Sequence, residues 1–176
     1  MAASRQASAP IEGTIVFTDI VGFTEFTATR GDDEALQLLA MQDGLVRAVL
    51  PDGARIVKEL GDGLLLWFPE PVPALHSAFE LDRGFEEGSA ASGTPLWIRI
   101  GMHHGRALER GADLVGHDVN VAARIVDVAA PGEVLVSDAV RAEVDPGPAH
   151  LCFNELGPVV MKGIPTAIRL WRATTC

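Results

Sequence analysis

Apolar positions along the chain follow two periods, one typical of strands and one typical of helices. Short β-branched or alternating apolar runs predict strands at Thr14–Phe17, Arg55–Leu60, Leu64–Phe68, Leu96–His103, Glu133–Val136, Leu151–Phe153 and Ala167–Trp171. Apolar residues spaced near 3.6 predict helices that begin at Asp33, at Pro73 and at about His117. The first helix closes at Pro51-Asp52-Gly53, and the third ends near Ala130.

The order of these elements indicates the fold class. The Gly/Ser/Ala-rich stretch Gly84–Pro95 is predicted as a loop, and residues 1–11 are predicted to be a flexible lead-in to one domain over residues 12–176. Strands joined by both hairpins and helical crossovers favour an α+β fold, with a mixed sheet and helices on one face.

Two aspartates are placed by backbone features of the predicted strands. Asp19 follows a buried strand, and Asp62 lies in Gly61-Asp62-Gly63, where an Asp-Gly pair between two strand-like runs predicts a hairpin. If these strand ends are neighbours, the carboxylates converge and a divalent cation, most naturally Mg²⁺, relieves their repulsion. Taken singly, each aspartate is better explained as a turn residue, and only the two together suggest a metal site.

The turn after Asp19 has features of a phosphate-binding turn. Gly22-Phe23-Thr24 joins the first strand to a helical segment, where backbone N–H groups are free to bind phosphate oxygens. A generic turn between a strand and a helix has the same appearance, so this signal is weak by itself.

The third helix is apolar on most of its circumference. Its remaining polar stripe contains Asn120, Arg124 and Asp127. Such a helix is normally covered on most sides, and in a chain this small a second subunit could supply part of that cover. The Arg124 charge needs an anionic partner, which is either Asp127, three residues away, or a bound phosphate.

Composition narrows the functional classes. The 176 residues carry a formal net charge of −10, which argues against nucleic-acid binding. A hydrophobic content of 48% fits a globular domain rather than a disordered chain. No apolar run is long enough to span a membrane, and the start of the chain lacks a signal-peptide pattern. Cys152 and Cys176 are too few and too far apart for a disulfide scaffold, so a reduced, cytoplasmic environment is expected.

Six segments in fixed order resemble the catalytic domain of class III nucleotidyl cyclases. They are FTDIVGFT (17–24), KELGDG (58–63), GMHHG (101–105), DLVGHDVNVAAR (113–124), PGEVLVS (131–137) and MKGIP (161–165). The resemblance extends from about residue 12 to residue 172. It implies a ferredoxin-like, largely antiparallel sheet with flanking helices.

The resemblance also implies a role for each matching residue. Asp19, Asp62 and the backbone carbonyl of Ile20 match the ligands of two divalent metal ions, Mg²⁺ or Mn²⁺. Lys58 and Asp113, unremarkable surface residues in isolation, match the pair that recognises the purine. The other matches are Asn120 for the ribose, Arg124 for the transition state, and Gly22, Phe23, Thr24 and Lys162 for the polyphosphate.

In the family, the site forms across a head-to-tail dimer, with the metal ligands from one chain and the purine, ribose and transition-state residues from the other. The resemblance therefore implies that a homodimer of this chain would hold two complete sites. Adenine presents an acceptor at N1 and donors at its amine, which complement a Lys donor and an Asp acceptor. We therefore expect an adenylate cyclase that closes ATP to 3′,5′-cyclic AMP with release of pyrophosphate, in intracellular signalling.

Three alternatives compete with this interpretation. The first is a non-catalytic dimerisation or nucleotide-sensing module that retains the fold, which the presence of every metal and transition-state residue disfavours. The second is a transferase that forms linear phosphodiesters, which the acidic charge disfavours if its substrate is a nucleic acid. The third, a phospho-acceptor domain, requires its acids on a parallel sheet, whereas Asp62 lies in a predicted hairpin.

Overall fold

An eight-stranded, mostly antiparallel sheet forms the centre of the computed structural model, which describes residues 9–176. The strands are β1 (Pro10–Ile20), β2 (Arg55–Leu60), β3 (Gly63–Phe68), β4 (Ile98–Arg110), β5 (Asp113–Val115), β6 (Val134–Ser137), β7 (Leu151–Val159) and β8 (Ile168–Thr175). The helices of this region are α1 (Phe23–Arg30), α2 (Asp32–Val49), α3 (Pro71–Ala91), α4 (His117–Val128) and α5 (Asp138–Val144). The strand order is β2-β3-β1-β4-β6-β8-β7, with β5 paired to β4, and the β4–β6 pair is parallel. The predicted α+β class and mixed sheet are confirmed.

The helices cover both faces of the sheet, so the prediction that they share one face is wrong. Val16 and Ile20 of β1 face a large core with α1, α2, α3 and α5. Ile15 and Phe17 point the other way and pack against α4. Because alternate strand residues point to opposite faces, an apolar run such as TIVF is buried on both sides. The unbroken apolar run TIVF was therefore the sequence signal that helices cover both faces of the sheet.

Gly101 allows α4 to lie directly against β4. A Cβ atom at this position would lie 2.3 Å from the backbone nitrogen of Val126 in α4. No side chain fits at that distance, so glycine sets the separation between helix and sheet. The position of α4 matters because this helix carries Asn120 and Arg124.

Two helical regions differ from the predictions. The first predicted helix is preceded by α1, and Gly31, at φ 89°, separates α1 from α2. The region 84–91, predicted as a loop, continues α3. A Cβ on Gly84 would lie 2.9 Å from Leu45 Cδ2, and one on Gly88 would lie 2.5 Å from Met41 Sδ. These glycines therefore permit close packing of α3 on α2, which the sequence alone does not distinguish from a flexible loop.

The strands are generally longer than predicted, and the short helix α5 was not predicted. Strand β1 begins at Pro10, inside the predicted lead-in, whereas residues 1–8 of that lead-in lie outside the described residues. Ser137 caps α5 by accepting a hydrogen bond from the Val140 N–H. Helix α5 has only seven residues, too few to display a clear helical period.

The two cysteines form a disulfide bond, contrary to the expectation of reduced thiols. Strands β7 and β8 pair antiparallel, with Cys152 opposite Thr174, which brings Cys176 to the same edge. The Cα atoms of Cys152 and Cys176 are 5.4 Å apart. Distance along the chain was the wrong criterion, because a hairpin brings together two cysteines that are 24 positions apart in the sequence.

Candidate functional site

The two predicted metal-binding aspartates meet at one end of the sheet. Strands β1 and β3 are antiparallel neighbours, with Thr18 opposite Leu64, so the end of β1 lies beside the β2–β3 turn. The Thr18 hydroxyl accepts a hydrogen bond of 3.2 Å from the Leu64 N–H. The buried Gln42 of α2 donates a hydrogen bond of 3.3 Å to the Asp62 carbonyl. Strand pairing and these two polar contacts fix the turn that presents the Asp62 carboxylate.

The pKa of Asp62 is raised above its usual value. Partial burial is the main cause, and the negative charge of Asp19 is the second. Backbone hydrogen bonds within Asp62 and from Ile20, together with the more distant Arg99 charge, act in the opposite direction. The Asp19 charge therefore acts on Asp62 in the direction expected for two neighbouring carboxylates. A cation between two such carboxylates relieves their repulsion.

Arg99 binds the Asp19 carboxylate, a contact that the sequence did not predict. The Arg99 Nε and Nη2 atoms lie 2.8 and 2.7 Å from Asp19 Oδ2. The Arg99 Nη1 atom donates a hydrogen bond of 3.1 Å to the Asp127 carbonyl, near the end of α4. Arg99 therefore links the end of β1 to α4. Strand alternation placed Arg99 on the same face as Gly101, but only the β1–β4 register sets it opposite Asp19.

The turn after β1 leaves the start of α1 exposed. Gly22 adopts a left-handed conformation, with φ 77° and ψ 17°, and no side chain caps α1, which begins at Phe23. The first N–H groups of a helix have no partner within the helix. Gly22 and Thr24 are exposed, so the start of α1 is open to solvent and suited to an anion.

Lys58 and Asp113 form an ion pair between β2 and β5. The Lys58 Nζ atom lies 2.8 Å from Asp113 Oδ2. This hydrogen bond is the main reason that the pKa of Asp113 is lowered. The structure therefore brings together the two residues that the resemblance assigns to one purine, although they are far apart in sequence.

Asn120 and Arg124 lie on the exposed face of α4, as the polar stripe predicted. Arg124 Nη1 lies 2.9 Å from Asp127 Oδ2, so the intrahelical alternative gives the contact observed. The apolar sides of α4 pack on the chain's own sheet and on the segment around Met161 and Ile164. A second subunit is not needed to cover this helix, which corrects that part of the burial argument.

Lys162 lies on the same side of the molecule as α4. It is an exposed residue in the connection between β7 and β8, and it has no ion pair among the described residues. Met161 and Ile164, on either side of it, are buried against Val121 and Ile125 of α4. The segment that carries Lys162 is therefore packed against α4.

The oxygen donors at the Asp19–Asp62 end suit a hard divalent cation such as Mg²⁺ or Mn²⁺. Across residues 9–176, no group of three or more His, Cys, Asp or Glu side chains is arranged to hold a metal ion. Two carboxylates and a carbonyl are the kind of incomplete ligand set that water and substrate phosphates complete. None of the described helices has the length and apolar character needed to cross a membrane.

Comparison with known proteins agrees with the fold and the motifs. Residues 7–172 match the family model for the adenylate and guanylate cyclase catalytic domain. A pH-sensitive adenylate cyclase from Mycobacterium tuberculosis is 33% identical over 97% of this chain, and the match covers 44% of that relative. The chain therefore spans less than half the length of this relative.

Solved structures of cyclases share the fold. The adenylyl cyclase CyaB from P. aeruginosa aligns with a TM-score of 0.82 and 20% identity, over 95% of each chain. The guanylyl cyclase Cya2 aligns with a TM-score of 0.80 and 21% identity, over 96% of this chain and 94% of that one. The match to the family model, the ordered motifs and the shared fold together assign this chain to the class III adenylate and guanylate cyclase catalytic domain family.

Proposed function

We propose that this domain is an adenylate cyclase, which converts ATP to 3′,5′-cyclic AMP and pyrophosphate at sites formed between two copies of the chain. The observation that carries the proposal is the pairing of β1 with β3, which places Asp19 at the end of β1 beside the β2–β3 turn that holds Asp62. Family membership supplies the reaction class, and the adenylate cyclase name of the M. tuberculosis relative supports ATP as the nucleotide.

Asp19, Asp62 and the Ile20 carbonyl would hold two divalent ions. When bound, such ions lower the pKa of the attacking 3′-hydroxyl and neutralise the triphosphate charge. Both Arg99 contacts fall on Oδ2 of Asp19, so a cation approaching that oxygen competes with a guanidinium. Arg99 thus compensates the Asp19 charge and keeps the carboxylate at the end of β1.

Lys58 and Asp113 would recognise the adenine ring. Their ion pair presents an ammonium donor beside a carboxylate acceptor, which complements adenine N1 and the exocyclic amine. Guanine reverses this pattern, because its N1 is a donor and its O6 an acceptor. A guanylyl cyclase shares the fold, so base preference is expected to depend on these side chains rather than on the architecture.

The second copy would supply the groups that act on the ribose and on the reacting phosphate. Asn120 would orient the ribose, and Arg124 would stabilise the charge that develops at the α-phosphate. Both side chains are exposed on α4, where a partner can reach them. The polyphosphate would be bound by backbone N–H groups at the start of α1, on the copy that carries Asp19, and by the ammonium group of Lys162.

The first test is product formation with and without Asp62. Purified protein is incubated with ATP or GTP and Mg²⁺ or Mn²⁺, and cyclic product is quantified. We expect cyclic AMP to dominate, and Asp62→Ala to reduce its rate by about 100-fold or more, since loss of a metal ligand removes a main source of transition-state stabilisation.

Asp52→Ala is the matched control, because Asp52 is an exposed aspartate in another turn of the same chain. This variant is expected to keep the parent rate. Equal cyclase activity in the Asp62→Ala and parent proteins, or absence of any cyclic nucleotide under all four conditions, would refute the proposed function.

The second test addresses the base. Lys58→Glu replaces the donor by an acceptor, and we expect the ratio of kcat/KM for ATP to that for GTP to fall by about tenfold or more. Arg55→Glu reverses a charge on the same strand, where Arg55 pairs with Glu109, and should leave that ratio unchanged. An unchanged ratio in Lys58→Glu would remove Lys58 from purine recognition.

A further inference from the structure

A pair of histidines connects α3 to the segment that leads into β7. His76 lies in the first half of α3, and His150 immediately precedes β7. Neither residue belongs to the motifs that resemble the cyclase family, and both are exposed. We propose that His76 and His150 bind one divalent transition-metal ion of the class that prefers imidazole, such as Ni²⁺, Zn²⁺ or Cu²⁺.

The two imidazole rings meet tip to tip. Their Nε2 atoms are 2.8 Å apart, their ring centroids are 5.0 Å apart, and their planes differ by 25°. The centroid separation is close to the N–N distance plus the two ring radii, so the nitrogens point at each other. One nitrogen must donate and the other accept, because two lone pairs or two protons would repel.

A metal ion can replace the proton that two such nitrogens share. At Zn–N distances of 2.0–2.1 Å and tetrahedral angles, two imidazole nitrogens lie about 3.4 Å apart. The Nε2 atoms need to separate by roughly half an ångström, and the rings need to tilt so that both lone pairs point at one ion. Both side chains are exposed, so they can make this adjustment without disturbing the core.

The backbones that carry the two rings are held firmly. His76 lies between the buried residues Leu75 and Ser77, and the Ser77 hydroxyl donates a hydrogen bond of 2.7 Å to the Val49 carbonyl. The His150 carbonyl accepts a hydrogen bond of 3.0 Å from the Cys176 N–H, and Cys176 is bonded to Cys152. Two ligands on anchored backbones lose less conformational freedom on binding than ligands on mobile loops.

The remaining positions can be filled by oxygen ligands, since no third His, Cys, Asp or Glu side chain of residues 9–176 is arranged with the pair to hold a metal. Glu80 lies one helical turn after His76, and both residues line the same cleft, together with Thr175. Water or the Glu80 carboxylate can complete the coordination shell. Nitrogen ligands favour Ni²⁺, Zn²⁺ and Cu²⁺, whereas the Asp19–Asp62 oxygens favour Mg²⁺ and Mn²⁺, so the two sites differ in the metal that they select.

The test measures Ni²⁺ binding by isothermal titration calorimetry, on untagged protein without added Mg²⁺, Mn²⁺ or nucleotide. The disulfide is kept intact and its thiols are assayed, because free thiolates would bind the same metal. We expect one Ni²⁺ per chain, and about a tenfold or greater increase in Kd for His76→Gln and for His150→Gln.

His117→Gln removes a different exposed histidine and should leave Kd unchanged. A higher Tm with Ni²⁺ in the parent protein, but not in His76→Gln, would support binding at this pair. No Ni²⁺ binding, or binding that survives the double variant His76→Gln/His150→Gln, would overturn the proposal. Neither outcome bears on the cyclase assignment.

Discussion

At the scale of single residues, the charges predicted to meet the nucleotide already pair within the chain. Lys58 pairs with Asp113, and Arg124 pairs with Asp127. Both pairs are substantially exposed, and exposed ion pairs contribute at most about 1 kcal/mol. Their exchange for contacts with substrate therefore costs little. The sequence had offered Asp127 or a phosphate as alternative partners for Arg124. Both can apply in turn, with Asp127 as the partner in the free protein and the phosphate as the partner after substrate binds.

Asp82 provides a pH prediction at the same scale. Burial, with a smaller contribution from Glu86, raises its pKa from the ordinary 3.8 to about 6. The folded protein therefore binds this proton more tightly than the unfolded chain, so Asp82 lowers the free energy of unfolding as the pH rises from about 4 to about 6. Above that window, Asp82→Asn is expected to raise the free energy of unfolding by about 1 kcal/mol, since partial exposure reduces the effect.

Urea denaturation at pH 4 and at pH 7.5 checks this expectation. The gain from Asp82→Asn should be present at pH 7.5 and small at pH 4. Glu86→Gln removes only the neighbouring like charge, so it should give a smaller gain. A loss of stability in Asp82→Asn at pH 7.5 would contradict the expected sign of the effect.

At the scale of elements, the packing of α4 on β4 determines where Asn120 and Arg124 are presented. Gly101→Ala would place a methyl group against the backbone of α4 at Val126, which cannot move independently of its helix. We expect a loss of roughly 2–3 kcal/mol in the free energy of unfolding. Cyclase activity is expected to fall as well, because α4 must shift.

Gly44→Ala is the matched control, because Gly44 lies in α2 with no atom within 4 Å of the new methyl group. This substitution should stabilise the protein by up to about 1 kcal/mol, because alanine favours the helix. Thermal or urea unfolding of both variants distinguishes the close approach of α4 from a general effect of glycine replacement. Equal stability changes in the two variants would argue against that close approach.

At the scale of the whole molecule, the structure separates the proposed site into two groups of residues. Asp19 and Asp62 lie at the end of β1, whereas Lys162 is grouped with α4 through the core around Met161. The family resemblance assigns the metal-binding aspartates to one copy in a dimer, and Asn120 and Arg124 of α4 to the other. Mixing Asp19→Ala chains with Arg124→Ala chains should therefore restore part of the activity, because one of the two sites in a mixed dimer is intact.

Cyclic AMP formation by the mixture, compared with each variant alone, checks this shared-site prediction. A mixture of Asp19→Ala with Asp62→Ala is the control. Both changes remove a proposed metal ligand, so every site in a mixed dimer lacks an aspartate. Activity in the first mixture no higher than in the control, with dimers present by sedimentation, would count against sites formed between two chains.

The limits of sequence-based prediction differ between elements. Strands β1 and β3 were predicted because they are continuous apolar runs next to turn residues, and helix α4 because its apolar residues repeat with a helical period. The segment from Gly84 to Ala91 was predicted wrongly, because a helix whose glycines allow close packing has the same Gly-rich composition as a loop. The cysteine pairing was missed because it depends on the register of the β7–β8 hairpin.

The sequence by itself determined the fold class, the family and the identity of the candidate site residues, because these follow from local periodicity and from ordered motifs. Tertiary structure alone decided which charges meet. Strand order brings Asp62 to Asp19, strand register sets Arg99 opposite Asp19, and the approach of β5 to β2 joins Asp113 to Lys58. Such contacts depend on distances between elements far apart in the chain, and a local pattern carries no measure of those distances.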